Sequence, residues 1–367
     1  MNELPLVAVA MSGGVDSSVA AALLAEQGYP VVGMMLRLWS EPGMEEDNRC
    51  CTPGAVSDAR RISARLGIPF YALDARDLFR QQVVQSFLDG YSSGKTPNPC
   101  MVCNLQVKWG FLLEKARSLG AEYLATGHYA RLIKGEDGKV ILMKGLDRYK
   151  DQSYFLSLLD QQQLSHTLFP LGDLQKSEVR EIARRFSLEV VSKPDSQDLC
   201  FLGNQDYRQF LSRYAPGVNR SGPIVNSNGE VLGSHRGLAF YTIGQRKGLE
   251  IASLEPIYVL SKDYSSNRLV VGGEGELGKC ELYAENMNWI AGNPPEGTLH
   301  LQAKIRYRAK YAPVTVTPLE DRRAHAVFED SQRDITPGQY VVFYNNDIVL
   351  GGGMISGKFY GKEDGLR

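Results

Sequence analysis

The feature that most limits what this chain can fold into is a glycine-rich heptad near its start, Ser12-Gly13-Gly14-Val15-Asp16-Ser17-Ser18. It lies between a short apolar run, residues 6–11, and an Ala/Leu-rich stretch of helical spacing, residues 17–27. Strand, glycine loop and helix N-terminus together form an anion site. The backbone N–H groups point outward and the glycines let a phosphate approach. The heptad is not a Walker A loop, because G-x-x-x-x-G-K-S/T is absent, and so is the lysine that would reach the terminal phosphates. An acidic Asp16 beside phosphate suggests a magnesium partner. A plain tight turn capped by Asp16 or Ser17 is the bland alternative. The full motif, after a strand and before a helix, outweighs it.

The segments that follow alternate. Residues 31–38, 69–73 and 122–126 read as strands; 55–66, 78–88, 111–119 and 176–186 read as helices, with Gly28 and Gly67 as stops. This alternation predicts a parallel sheet with helices on both faces. After about residue 203 the character changes. Residues 222–225 and 230–233 flank Asn226-Ser227-Asn228-Gly229, a hairpin signal inside a small mixed region. From Leu282 onward only strand signals appear: 299–308, 314–319, 324–328, and 340–344 turning through Asn345-Asn346-Asp347 into 348–350. Short strands at this spacing suggest a small β-barrel. The expected class is therefore α/β: a Rossmann-like parallel-sheet domain over residues 1–203, a small central domain over 204–272, and a C-terminal β-barrel domain over 273–367.

The length of 367 residues suits two or three domains, and 43% hydrophobic with 23% charged residues is ordinary soluble composition. No run of about 18 apolar residues appears, so no membrane-spanning helix is expected. The N-terminus lacks a basic region followed by a long apolar stretch, which points to a cytoplasmic protein. The six cysteines then sit in a reducing compartment, where catalysis, metal binding or burial explains them better than a disulfide framework. The net charge of -1 does not announce a nucleic-acid binder, but phosphate is met by local patches.

A second dense motif is Thr96-Pro97-Asn98-Pro99-Cys100-Met101-Val102-Cys103-Asn104. Two prolines hold the backbone extended ahead of the cysteine pair. Cys100 and Cys103 form a C-x-x-C of redox or metal type. Cys200 lies in Asp195-Ser196-Gln197-Asp198-Leu199-Cys200-Phe201. Cys50 and Cys51 sit in a polar loop, residues 41–54, and stay open between bland and functional roles; Cys280 reads as a small structural hydrophobe. Zinc ranks low, because no second C-x-x-C or H-x-x-x-H exists. Near the C-terminus, Lys304, Arg306, Arg308 and Lys310 alternate with Ile305, Tyr307, Ala309 and Tyr311. On a strand this puts four cations on one face, suited to backbone phosphates or simply to solvent. Arg246 and Lys247 form a second basic spot beside Gln245.

The heptad resembles the PP-loop of the N-type ATP pyrophosphatases, which activate a carbonyl oxygen by adenylation. Over essentially its whole length the chain is similar to the bacterial-type tRNA-specific 2-thiouridylases, the MnmA/TrmU family. The pieces that match are the heptad, the Thr96 to Asn104 motif, Ala125-Thr126-Gly127-His128-Tyr129, Lys150-Asp151-Gln152-Ser153-Tyr154-Phe155, the Ser196 to Phe201 motif, Thr242-Ile243-Gly244-Gln245-Arg246-Lys247-Gly248 and Ile305-Arg306-Tyr307-Arg308.

The resemblance implies a PP-loop (HUP/Rossmann-like) catalytic domain that adenylates O2 of a wobble uridine with ATP. A persulfide then delivers sulfur to C2, giving 2-thiouridine, AMP and pyrophosphate. It implies Cys200 as the persulfide carrier and Cys103 as its partner thiol. Ala10, Met11, Ser12, Gly13, Gly14, Val15, Asp16, Ser17, Leu36 and Gly127 would contact ATP. Asn98, Pro99 and Cys100 would line the pocket for the flipped base, which is cheap to extrude from a single-stranded loop. His128, Lys150, Asp151, Gln152, Arg306, Tyr307 and Gln339 would meet tRNA. ATP and Mg2+ are the expected cofactors. The expected partners are tRNA of the Lys, Glu and Gln acceptors and a sulfur donor such as a cysteine desulfurase or sulfur-relay protein.

One departure matters: many family members carry an aspartate, assigned to acid/base work, where this chain has Cys100. With Cys103 and Cys200 it makes three thiolates, and a four-iron four-sulfur cluster is the alternative they leave open. A small-molecule PP-loop ligase would leave the cysteines and the basic barrel unexplained. A non-enzymatic tRNA-binding module would leave the intact heptad unexplained.

Overall fold

The computed structural model describes residues 4–44, 52–193, 199–203 and 205–357; Cys50, Cys51 and residues 195–198 lie outside them. The first sheet is built from β1 (Val7–Ala10), β2 (Val31–Arg37), β3 (Phe70–Asp74), β4 (Tyr123–Ala125) and, after a hairpin of β5 (Ala130–Lys134) and β6 (Val140–Lys144), β7 (Thr167–Leu168). Its order is β3-β2-β1-β4-β7, and every pair is parallel. β1 shows why the strands are apolar throughout. Val7 and Val9 face a core shared with α1 (Val15–Glu26), α2 (Pro53–Arg65) and the helix Lys176–Arg185. Ala8 faces the opposite core, with Trp109 and Leu112. A strand covered on both sides has no solvent face to alternate with. The chain winds outward from β1 through β2 to β3, then returns to the other side of β1 as β4. The crevice at this reversal, off the C-terminal ends of β1 and β4, is where open α/β sheets hold ligands.

Two helices differ from expectation. The stretch 76–92 is continuously helical, as Arg76–Phe79, Arg80–Val84 and Gln85–Ser92, with a π-helical middle turn. The stretch 99–118 is likewise continuous, as Pro99–Val102, Cys103–Leu112 and Leu113–Ser118. The segment 111–119 is thus only the end of a helix that starts at Pro99. Proline suits a first helical position, where its missing N–H would have no partner anyway. The Asn98 side chain caps that start by accepting from the Cys100 N–H at 3.2 Å. The cysteine pair therefore rides on a helix, and only the chain ahead of it is extended.

A mixed sheet of order β10-β11-β8-β9 follows, made of β8 (Gly222–Val225), β9 (Val231–His235), β10 (Tyr258–Asp263) and β11 (Arg268–Gly272). The β8–β9 turn is the expected one. Asn226 Oδ1 accepts from the N–H groups of Asn228 and Glu230 at 3.0 and 2.9 Å, and Gly229 supplies a φ of 86°.

The last sheet contains β12 (Lys279–Trp289), β13 (Leu299–Lys304), β14 (Ala312–Leu319), β15 (Arg323–Gln332), β16 (Tyr340–Asn345) and β17 (Ile348–Ile355). Their order is β12-β15-β14-β13-β16-β17, and pairing of β12 with β17 closes a barrel. β6 adds to its outside through Ile348↔Met143, so the hairpin of the first domain extends the sheet of the last. The expected strand 299–308 stops at Lys304. The chain then turns, with Ala309 N–H donating to Arg306 C=O at 3.0 Å. No described helix is long and apolar enough to cross a membrane.

Candidate functional site

The heptad sits where β1 ends in the crevice. Met11 N–H donates to Met34 C=O at 2.7 Å, continuing the strand register up to the loop. Ser17 Oγ accepts from Ser12 N–H at 3.1 Å and Ser18 Oγ donates to Gly14 C=O at 2.7 Å, closing the loop on the first turn of α1. Gly14, the cap of α1, provides no side-chain acceptor, so the anion site of the helix start is not filled by the protein's own cap. Gly13 has a φ of 69°, and a Cβ there would lie 2.5 Å from Ala55 C=O. Gly127, just past β4, passes under α1: a Cβ would lie 2.7 Å from the Asp16 carbonyl carbon and the Ser17 nitrogen. Both glycines are there because no side chain fits. Ala10, Met11, Ser12, Val15 and Gly127 thus converge at one end of the sheet, with Leu36 at the end of β2.

The lysines missing from the heptad arrive from elsewhere. Lys176 Nζ lies 2.7 and 2.9 Å from the two carboxylate oxygens of Asp16, and Tyr129 OH donates to Asp16 Oδ1 at 2.8 Å. Lys193 Nζ donates to Gly13 C=O at 3.0 Å and pairs with Asp58. Lys176 begins the helix Lys176–Arg185, and nothing local in the sequence marks it for a role at the loop. The Asp16 carboxylate, an oxygen donor in the first turn of α1, has the chemistry of a hard-cation ligand.

The other side of the crevice holds His128, whose ring packs against Trp109 and Phe169 with centroids 5.5 and 6.2 Å apart. Its Nδ1 is 2.8 Å from Thr126 Oγ1. Burial holds the imidazole well below its usual value, and Lys108 adds to that, so the ring is neutral at pH 7.

Cys103 stands one helical turn after Cys100, half-buried where Cys100 is exposed. Cys200 opens a short turn, Cys200–Leu202, and is also half-buried. Cys103 and Cys200, far apart in sequence, pack on one apolar cluster that includes Phe79, Phe87, Phe201 and Phe210. Leu36 packs on the same cluster and joins it to the crevice. Among the described residues no three of His, Cys, Asp or Glu gather to hold a metal ion. The three cysteines form no such group, and their placement lends the iron–sulfur alternative no support. Cys280 is exposed on β12 rather than buried as a small hydrophobe.

The residues expected at RNA divide into two groups. Arg306, Arg308 and Lys310 are exposed and alternate with more buried Ile305, Tyr307 and Ala309, so a one-sided cationic surface survives although the strand does not. Lys304 leaves that surface: its ammonium lies over the rings of Tyr307 and Tyr311, 5.5 and 5.0 Å from their centroids. Arg306 is half-committed, paired with Asp334. Tyr307 packs on Phe155 at 4.4 Å. Gln339 Nε2 donates to Thr96 C=O at 2.8 Å, and Thr96 N–H donates to Pro337 C=O at 2.8 Å, so the barrel grips the chain just ahead of Asn98, Pro99 and Cys100. Asp151 is turned inward, 7% exposed, and Gln152 is bonded to the backbone of Tyr129, while Lys150 lies on the same turn.

A family model described as a tRNA methyl transferase HUP domain matches residues 6–204. A tRNA methyl transferase PRC-barrel domain matches 208–273, and an aminomethyltransferase β-barrel domain matches 279–355. The tRNA-specific 2-thiouridylase MnmA of Moorella thermoacetica is 50% identical over 350 residues, covering 95% of this chain and 98% of that one. Those of Clostridium perfringens and Clostridioides difficile are 46% and 45% identical over 351 residues, covering 95% of this chain and 98% and 97% of theirs. With such identity running from the phosphate loop through the barrel, the chain belongs to the tRNA-specific 2-thiouridylase family.

Proposed function

We propose that this enzyme puts sulfur on C2 of a tRNA wobble uridine in two steps, at two ends of one crevice. In the first, uridine O2 attacks the α-phosphorus of ATP; the O–P bond forms and pyrophosphate leaves. O2 is a poor leaving group, and adenylation makes it a good one. The loop N–H groups of Ser12 to Ser17, with Lys176 and Lys193 nearby, stabilise the phosphate charge. Asp16 is the residue that would hold Mg2+ carried in with ATP, and the ion would offset phosphate charge.

In the second step, Cys200 carries a persulfide supplied by a cysteine desulfurase or sulfur-relay donor. The Cys103 thiolate attacks the inner sulfur, and the terminal sulfur leaves as hydrosulfide. Hydrosulfide adds to C2 and AMP departs. A Cys103–Cys200 disulfide remains, and an external thiol reductant returns it to two thiols. Asn98, Pro99 and Cys100, at the start of the cysteine helix, line the base pocket, while Arg306, Arg308, Tyr307 and Gln339 meet the RNA. The unit divides as residues 1–203, 204–272 and 273–367, and its RNA substrates are the Lys, Glu and Gln tRNAs.

The observation that supports this reading is that Cys103 and Cys200 both pack on one apolar cluster, on which Leu36 from the phosphate end of the sheet packs as well. The test is nucleoside mass spectrometry after incubation with unmodified tRNA, Mg-ATP, L-cysteine and a cysteine desulfurase. Wild type gives 2-thiouridine only with ATP, and Cys103→Ser and Cys200→Ser give none. Thiolation without ATP, or undiminished in both variants, would overturn the reading.

A further inference from the structure

The turn 147–152 faces two ways. Outward, Tyr149 is 97% exposed, beside Arg148 and Lys150. A fully exposed tyrosine between two cationic side chains buries nothing in the folded chain, yet its ring offers a flat face on which an unpaired base can stack. The same neighbourhood includes the barrel: Arg148 forms two hydrogen bonds to Asp347 of the β16–β17 turn, at 2.9 and 3.0 Å. Asp151 Oδ2 accepts from Tyr311 OH at 3.3 Å.

Inward, the turn holds both partners of Asp16. Asp147, 5% exposed, accepts from the backbone N–H of Lys176 at 3.0 Å through Oδ2, and from those of Tyr149 and Lys150 at 3.0 and 3.2 Å through Oδ1. Gln152 clasps Tyr129: Oε1 accepts from Tyr129 N–H at 3.1 Å, and Gln152 N–H donates to Tyr129 C=O at 2.9 Å. Lys176 and Tyr129 are the two side chains bonded to Asp16 in the phosphate loop. Thus one turn links an exposed aromatic ring to the phosphate loop through two separate hydrogen-bonded arms, Asp147 to Lys176 and Gln152 to Tyr129.

Resting on the proposed function above, we propose that Tyr149 is an RNA-stacking residue, and that its turn positions Lys176 and Tyr129 so that bound tRNA tightens the ATP site. By linkage the coupling is reciprocal: ATP tightens tRNA by the same factor. Asp147 is a positioning residue and touches neither ligand.

The test measures the affinities of unmodified tRNA and of a non-hydrolysable ATP analogue, each alone and with the other saturating, in the full-length protein. In wild type the analogue binds several-fold tighter with tRNA present. Tyr149→Ala weakens tRNA about tenfold, the scale of one lost base–aromatic stack, and Tyr149→Phe restores it. Neither changes analogue affinity in the absence of RNA. Asp147→Asn keeps tRNA affinity within about twofold and loses the tRNA-induced tightening of the analogue. Unchanged tRNA affinity in Tyr149→Ala overturns the stacking assignment, whatever happens at the nucleotide site. Tightening that persists in Asp147→Asn overturns the coupling; should that variant fail to fold, tightening left intact in Tyr149→Ala at saturating tRNA overturns it instead. A wild type that binds tRNA but no analogue contradicts both the coupling and the ATP step of the proposed function, and leaves the Tyr149 arm to be decided on tRNA alone.

Discussion

The phosphate loop and the cysteine cluster are built from opposite materials. At the phosphate end, charge is set against charge: Asp16 with Lys176 and Tyr129, Lys193 with Asp58 and a loop carbonyl. Cys103 and Cys200 pack instead on an apolar cluster rich in aromatic rings, with Phe87 and Phe201 centroids 5.3 Å apart and Phe79 and Phe201 6.0 Å apart. The difference follows the chemistry. Phosphoryl transfer needs fixed donors aimed at developing charge. Sulfur transfer to an activated carbon must instead keep out water, which would hydrolyse the adenylated base back to uridine. In the proposed mechanism the two demands are met in separate places, and Leu36 of β2 packs on the cysteine cluster from the phosphate side.

If that division is right, substitutions should damage one end and spare the other. The largest effect is expected from Gly13→Val. The left-handed φ and the 2.5 Å approach to Ala55 leave no room for a side chain, and the misplaced loop should lose at least about a hundredfold in pyrophosphate release. Titration of tRNA should show binding intact. Next is Lys176→Met, which leaves Asp16 without its cation. ATP affinity by calorimetry should fall about tenfold or more, while alkylation of Cys103 and Cys200 proceeds at the wild-type rate. Third, charge reversal at Arg306 and Arg308 should weaken tRNA and lower the slope of log affinity against log salt by about one per lost phosphate contact. Arg308→Glu should exceed Arg306→Glu, because Arg306 already spends part of its charge on Asp334. ATP affinity should not change.

The smallest effect concerns His128. Its folded pKa is held below the ordinary 6.5 by burial, so the unfolded chain binds the proton first. Stability is then fully present above about pH 7 and declines as pH falls through 6.5, by up to about 1.4 kcal/mol per pH unit. Urea denaturation between pH 7.5 and 5 should show this slope, and His128→Gln should flatten it.

Much of this was legible in the chain, for reasons that differ by element. The phosphate loop could be read because glycine is required at Gly13 and Gly127 and because the strand before it and the helix after it have unlike periods. The barrel could be read because its short strands are punctuated by turn residues such as Asn345 and Asn346. The cationic run 304–310 misled. Alternation is equally compatible with a strand and with a turn whose inner residues are gripped by neighbours, as Tyr307 is by Phe155, with ring centroids 4.4 Å apart. Pro99 misled in the opposite sense, hiding a helix start. The hairpin β5–β6 carries too little pattern in five-residue strands to announce that it would join the barrel sheet. Lys176 and Lys193 reach the loop across 160 and 180 positions, and no local signal encodes such a meeting.

In the proposed mechanism nucleotide chemistry and sulfur chemistry are separable on this scaffold. Rapid-quench measurement of pyrophosphate release in the Cys103→Ser/Cys200→Ser double variant, with unmodified tRNA and Mg-ATP, tests it directly. The expected result is a tRNA-dependent burst approaching one pyrophosphate per enzyme, with no 2-thiouridine formed. No burst from a variant that still binds both substrates would contradict it, because the cysteines would then belong to the adenylation step itself.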